Sequence, residues 1–188
     1  MSNADDFLNA LRGVYAARTD ELMAQYHRSV PFGDTVVDRW ERARRLGWAE
    51  GSNVYDSCLV LGDVRVGERT WVGPHTILDG SGGGIDIGST CNISAGVHVY
   101  THDSIKWVVT AGKHPYEHGP VRIGDHTYIG PHTVITRGTT IGRHCVIGAH
   151  SLVSTDIPDY SVAHGVTAKV VGRVVIDNDG SVRFERTT

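Results

Sequence analysis

Strong charge of either sign is missing from this chain of 188 residues: 18 Lys and Arg face 21 Asp and Glu, a formal net charge of −3. That balance gives no electrostatic case for nucleic acid or an anionic membrane surface as a partner. Long apolar runs are missing too. The opening MSNADDFLNALRGVYAARTDEL holds no signal-peptide core, and no stretch reaches the roughly 18 apolar residues of a membrane span. A soluble, cytoplasmic protein is therefore expected. Cysteine is scarce: Cys58, Cys91 and Cys145 are odd in number and lack CxxC spacing, so neither a disulfide framework nor a zinc ribbon is suggested. Glycine is abundant at 23 residues, which implies many turns.

What is present is a period. In IGDHTYIGPHTVITRGTTIGRHCVIGAHSLV, residues 123–153, an aliphatic returns every sixth position. Six is neither the 3.6 of a helix nor the 2 of a strand. Ile123, Ile129, Ile135, Ile141, Ile147 and Val153 form one series; Val54, Val60, Val66, Val72 and Leu78 a second; Ile87, Ile93 and Val99 a third. Four residues after most of them stands a small or β-branched residue, among them Cys58, Thr70, Thr76, Cys91, Thr127, Thr133, Cys145 and Ser151. Self-similarity at a fixed short period marks a solenoid: each unit supplies one short strand and one turn, and stacked units cover each other's core. Burying one such side chain stabilises by roughly 1.5–3 kcal/mol. The cysteines occupy the small-residue position and read as core filler, not nucleophiles.

With three units per coil, Val54, Val72, Ile93, Ile129 and Ile147 share face one, and Val60, Leu78, Val99, Ile135 and Val153 share face two. Face three takes the rest. The period fails twice, each time after face two: nine residues separate Leu78 from Ile87, and 24 separate Val99 from Ile123. Two loops are expected at one corner, stacked about 4.8 Å apart. The first contains DGSGGG. The second carries His102, Asp103, Lys106, Trp107, His114, Tyr116 and His118. A regular prism that opens at one corner is building something there. His75, His126, His132, His144 and His150 all stand three residues after an inward aliphatic, where a turn of positive φ suits His, and paired histidines alone make weak metal sites. No metal is expected.

The pattern [LIV]-G-x-x-[STAVC]-x resembles the hexapeptide-repeat acyltransferases, in particular maltose, galactoside and polysaccharide O-acetyltransferases. The resemblance implies an all-β, left-handed parallel β-helix. The residues divide the chain into an N-terminal helical cap over 1–50, the solenoid over 51–172 with its loop at 101–121, and a C-terminal hairpin tail over 173–188. The cap is expected as two helices around VPFGD whose apolar faces (Phe7, Leu8, Leu11, Val14 and Tyr15, then Val37, Trp40 and Leu46 to Trp48) cover the open first coil. The tail RVVIDNDGSVRFER alternates around NDG.

In VHVYTHDSIKW, His102 is similar to the family's catalytic histidine, and CVIGAHSLVSTDIPDYSVAHGVTAKVVG, residues 145–172, to its closing segment. These matches imply a homotrimer with sites between subunits and acetyl-CoA as acyl donor. Gly130, Pro131 and Ala149 would lie along the pantetheine arm, with Ser154, Thr155 and Lys169 toward the nucleotide end. His164 and Thr167 depart from the family's usual Ala and Pro. An alcohol needs a base to remove its proton as it attacks a thioester, and an imidazole, titrating near ~6.5 in model compounds, suits that task. Asp79, Ser81, Asp103 and Trp107 are candidates to hold the acceptor. The function expected is acyl transfer to the hydroxyl of a sugar or nucleotide sugar, of the kind found in surface polysaccharide or lipopolysaccharide precursors. A sugar-amine N-acetyltransferase and a metal-dependent carbonic-anhydrase-like protein are the alternatives.

Overall fold

The computed structural model describes residues 3–186. Three helices open the chain: α1 (Asn3–Tyr26), α2 (Phe32–Val36) and α3 (Arg39–Arg45). Asp5 and Asp6 sit in the first turn of α1, where they complement the helix dipole. Asp38 caps α3 by accepting from the Glu41 N–H at 2.7 Å.

The solenoid follows. Two-residue strands alternate with turns, and strands one coil apart pair in parallel. On face one Val54 pairs with Val72, Val72 with Ile93, Ile93 with Ile129 and Ile129 with Ile147. On face two Leu78 stands between Val60 and Val99, and Ile135 between Val99 and Val153. Val66, Ile87, Ile123 and Ile141 stack on face three. Thirteen of the fourteen periodic aliphatics are buried. The fourteenth, Val60, is only partly covered. The small position is explained by hydrogen bonds between coils: Thr70 Oγ1 donates to the Gly88 carbonyl and Thr127 Oγ1 to that of Gly142, both at 2.8 Å. Cys58 Sγ reaches the Gly73 carbonyl at 2.9 Å. Burial pushes all three thiols up from their ordinary pKa, which leaves them without thiolate character.

Two expectations need correction. Helix α1 does not cap the first coil: it buries no residue, and Phe7 and Val14 are 69% and 53% exposed. VPFGD is also not a simple break, because Phe32–Val36 is itself helical. Capping is done by α3 and the turn after it. Ala43 and Trp48 are buried, Trp48 Nε1 donates to the Val64 carbonyl at 3.0 Å, and Arg42 donates to the carbonyls of Tyr55 and Cys58.

The second correction concerns DGSGGG, which is not an extruded loop. Ile77–Ile87 is one strand running round the corner, paired below with Leu59–Val66 across a register shift between Gly62 and Val64. Gly83 and Gly84 absorb the extra residues at φ +138° and +88°, conformations that L side chains rarely adopt. Because this strand turns the corner unbroken, faces two and three join into one seven-stranded sheet, a six-strand path with Leu59–Val66 beside it.

The long insertion does leave the prism. Strands His102–Asp103 and Glu117–His118 pair antiparallel at its base, with a short helix, α4 (Ile105–Val109), between them. At the far end Lys169–Ile176 and Val182–Arg186 pair around NDG and extend face one. Among the described residues no helix is long and apolar enough to cross a membrane.

Candidate active site

His102 leaves the prism where face two turns into face three. Its side chain is 29% exposed, and that of Asp79, one coil below, is 12% exposed. Ser81 stands between them. Its hydroxyl donates to Asp79 Oδ1 at 2.5 Å and lies 3.4 Å from His102 Nδ1, while Asp79 Oδ2 is 3.8 Å from the same nitrogen. Backbone hydrogen bonds fix this triad. Thr101 Oγ1 donates to the Asp79 carbonyl at 2.7 Å and accepts from the Gly82 N–H at 2.8 Å. Glycine is needed at 82 for space: a Cβ there would stand 2.6 Å from His102 Cβ and closer still to the Thr101 carbonyl. The DGSGGG run therefore lets one coil pass directly beneath the imidazole.

The loop above adds rings. Tyr116 lies nearly parallel to the imidazole, 8° off at a centroid distance of 6.3 Å, and Trp107 meets Tyr116 edge-on at 5.7 Å. Both are about two-fifths exposed, so they offer a partly open aromatic surface beside His102. His118 is paired with His102 across the hairpin base, its ring 6.1 Å away.

Asp103 is committed elsewhere. One oxygen accepts from Arg137 Nε at 2.5 Å and the other from the Ile105 N–H at 3.0 Å. Glu117 accepts from Arg137 and from Lys106, each at 2.8 Å. Arg137 thus clamps both strands of the hairpin to the coil above. The Arg137 hydrogen bond holds the Asp103 carboxyl below its ordinary range, and the Lys106 hydrogen bond does the same for Glu117.

The residues matched to the cofactor edge are spread over two corners. Gly130, Pro131 and Ala149 follow the face-one strands; a Cβ on Gly130 would meet the Ala149 amide nitrogen at 2.5 Å, so these two coils are in close contact there. Lys169 is exposed and paired with His164, which packs against Gly148 on that side. Ser154 and Thr155 are exposed on the His102 corner, one coil beyond Arg137. The histidines of the repeat occupy turns of positive φ, from 54° at His144 to 59° at His75. Their rings stack as His126–His144 and His132–His150, and no group of three His, Cys, Asp or Glu able to hold a metal occurs among the described residues.

A family model described as bacterial transferase hexapeptide (six repeats) matches residues 118–155, and one described as hexapeptide repeat of succinyl-transferase matches residues 63–101. Over these spans the chain is built of hexapeptide repeats. No curated protein matches it in sequence. Among solved structures, a hexapeptide-repeat-containing acetyltransferase from Vibrio cholerae, crystallised with acetyl coenzyme A, is 24% identical. The match covers 92% of each chain, with a TM-score of 0.64. AntD from Bacillus cereus, an N-acyltransferase complexed with dTDP and 3-hydroxybutyryl-CoA, is 24% identical over 66% of this chain and 70% of its own, with a TM-score of 0.61. The acetyltransferase domain of PglB from Neisseria gonorrhoeae is 23% identical over 65% of this chain and 49% of its own, with a TM-score of 0.52. At such identities the likeness establishes a common fold.

Within this hexapeptide-repeat protein, three of the residues expected to hold an acceptor lie at the His102 corner in two different settings. Asp79 and Ser81, expected to hold an acceptor, face the imidazole. Asp103, expected in the same role, holds the loop. Arg137 and Glu117 escaped notice because their pairing spans 20 residues and becomes visible only once the hairpin folds back on the prism.

Proposed function

We propose that this protein transfers an acyl group, most simply acetyl, from coenzyme A to a hydroxyl of a sugar or nucleotide sugar, with His102 as general base. The observation that carries the proposal is the placement of His102. It stands at the one corner where a regular prism opens, its Nδ1 edge backed by Ser81 and Asp79 and its surroundings lined by Trp107 and Tyr116. Nε2 is then the nitrogen left to meet an acceptor, and the rings suit the apolar face of a pyranose.

The acceptor hydroxyl gives its proton to Nε2 as its oxygen attacks the thioester carbonyl. Backbone N–H groups stabilise the tetrahedral oxyanion. Collapse breaks the C–S bond, and the imidazolium returns the proton to the departing thiolate, leaving ester and free coenzyme A. General-base assistance of this kind contributes on the order of 10²–10⁴-fold.

Coenzyme A is assigned by family likeness to Gly130, Pro131 and Ala149, with Ser154, Thr155 and Lys169 toward its nucleotide. Gly130 and Ala149 lie on a different prism edge from His102, so a complete site requires a second copy, as in a homotrimer of left-handed β-helices. Two of the similar structures hold coenzyme A derivatives, one of them with dTDP, which supports a thioester donor and a nucleotide-sugar acceptor. AntD is an N-acyltransferase, which favours a sugar amine as the second reading.

The test is thiol release from acetyl-CoA in the presence of nucleotide sugars. His102→Ala should lower kcat by about 10²–10⁴-fold with either acceptor. An unchanged rate removes His102 as base; no release with any sugar removes the transferase reading.

A further inference from the structure

The polarity of one hydroxyl decides which imidazole nitrogen can act as a base. Asp79 is an acceptor once ionised, so the Ser81 hydroxyl at 2.5 Å must donate to it. Having spent its only proton, Ser81 Oγ can face His102 Nδ1 at 3.4 Å only as an acceptor. Nδ1 must then carry the hydrogen, and Nε2 keeps its lone pair. Asp79 Oδ2, 3.8 Å from Nδ1, lies within reach of the imidazolium that forms when Nε2 takes a proton. The other ionisable groups facing the ring are His118 and Tyr116, both from the loop.

We propose that Asp79 and Ser81 are positioning residues that fix the tautomer of His102, through a hydroxyl inserted between carboxylate and imidazole. This rests on His102 being the base and reassigns both residues away from the acceptor. It also explains the glycines of DGSGGG. The carboxylate comes from a neighbouring coil, and only a strand without Cβ at 82 can bring it under the ring. The arrangement differs from a direct His–carboxylate pair in one testable way: part of its effect depends on the Ser81 hydroxyl.

Asp79→Asn should reverse the tautomer. Asp79 Oδ1 also accepts from the Ser81 N–H at 3.1 Å, so the amide oxygen keeps that place and the amide NH2 replaces Oδ2. Beside Nδ1 it can only donate to a lone pair, and the imidazole hydrogen moves to Nε2. The first measurement is the long-range ¹H–¹⁵N spectrum of the ¹⁵N-histidine-labelled protein, with the His102 signals assigned by comparison with His102→Gln. Wild type should show Nδ1–H and Asp79→Asn should show Nε2–H. In parallel, kcat for Asp79→Asn should fall by up to about 10⁴-fold, the loss seen when a wrong tautomer is imposed on a serine protease base. KM should stay nearly unchanged.

Ser81→Ala removes the relay without reversing it and should cost roughly tenfold in kcat, the acid limb of its pH profile moving less than that of Asp79→Asn. A wild-type spectrum showing Nε2–H overturns the proposal even if every variant misfolds. So does Asp79→Asn that loses activity while keeping Nδ1–H, or that raises KM alone. If His102→Ala keeps full thiol release while the wild-type tautomer is Nδ1–H, the general-base reading fails and the positioning geometry stands.

Discussion

Gly82→Ala adds one methyl group at the point where the coil passes beneath His102. Gly82 has no positive φ, so its backbone suits alanine and the whole cost is steric. The new Cβ would come within 2.6 Å of His102 Cβ and closer to the Thr101 carbonyl, which already accepts from the Gly119 N–H at 2.9 Å. Neither neighbour is the free end of a flexible chain. Overpacking of this kind costs about 1–3 kcal/mol in stability. The ring can escape only by moving outward, and a misplacement near 1 Å costs on the order of 10²-fold in rate. Gly138→Ala is the control: nothing lies within 4 Å of its added Cβ, and its only penalty is a φ of +75°. Urea denaturation at fixed protein concentration and the rate of thiol release would be measured for both. Gly82→Ala should lose rate well beyond its loss of stability, and Gly138→Ala should lose about 1 kcal/mol with the rate retained. Wild-type stability in Gly82→Ala would refute the close approach. A stability loss at full rate would refute the placement of His102 at the reacting centre.

Other consequences follow from single contacts. Ile129→Ala empties a fully buried rung held between Ile93 and Ile147 and should cost about 3–4 kcal/mol, whereas Val60→Ala, at a partly covered position, should cost about 1; a urea midpoint series separates them. Arg137→Met should release the hairpin base by removing its bonds to Asp103 and Glu117, seen as faster amide exchange at residues 102–118 with the prism's own exchange unchanged. His144 is held below its ordinary pKa by burial and by the stacked His126. A histidine whose pKa is depressed on folding stabilises when neutral, so that stability is full above about pH 6.5 and is lost as the pH falls through the folded value. His144→Asn, which tolerates the same turn, should flatten the decline of melting temperature on the acid side, and an unchanged slope would refute the assignment.

The periodic aliphatics settled the core because a six-residue unit admits one inward direction per strand. Thirteen of them are buried in the registers that the count of three per coil requires. The positive-φ histidines were legible for the same local reason, since a repeated turn imposes one backbone conformation at one phase. Helix α1 was misread because a stripe of apolar residues records amphipathic character but not what, if anything, it packs against.

The sequence by itself determined the prism, its faces and the corner at which it opens, because those depend on spacing along the chain. Only the tertiary structure decided what Asp79, Ser81, Asp103 and Arg137 do. Each acts on a group that reaches it from another coil, and which carboxylate meets the imidazole and which meets the guanidinium depends on how three extra residues are absorbed at Gly83 and Gly84.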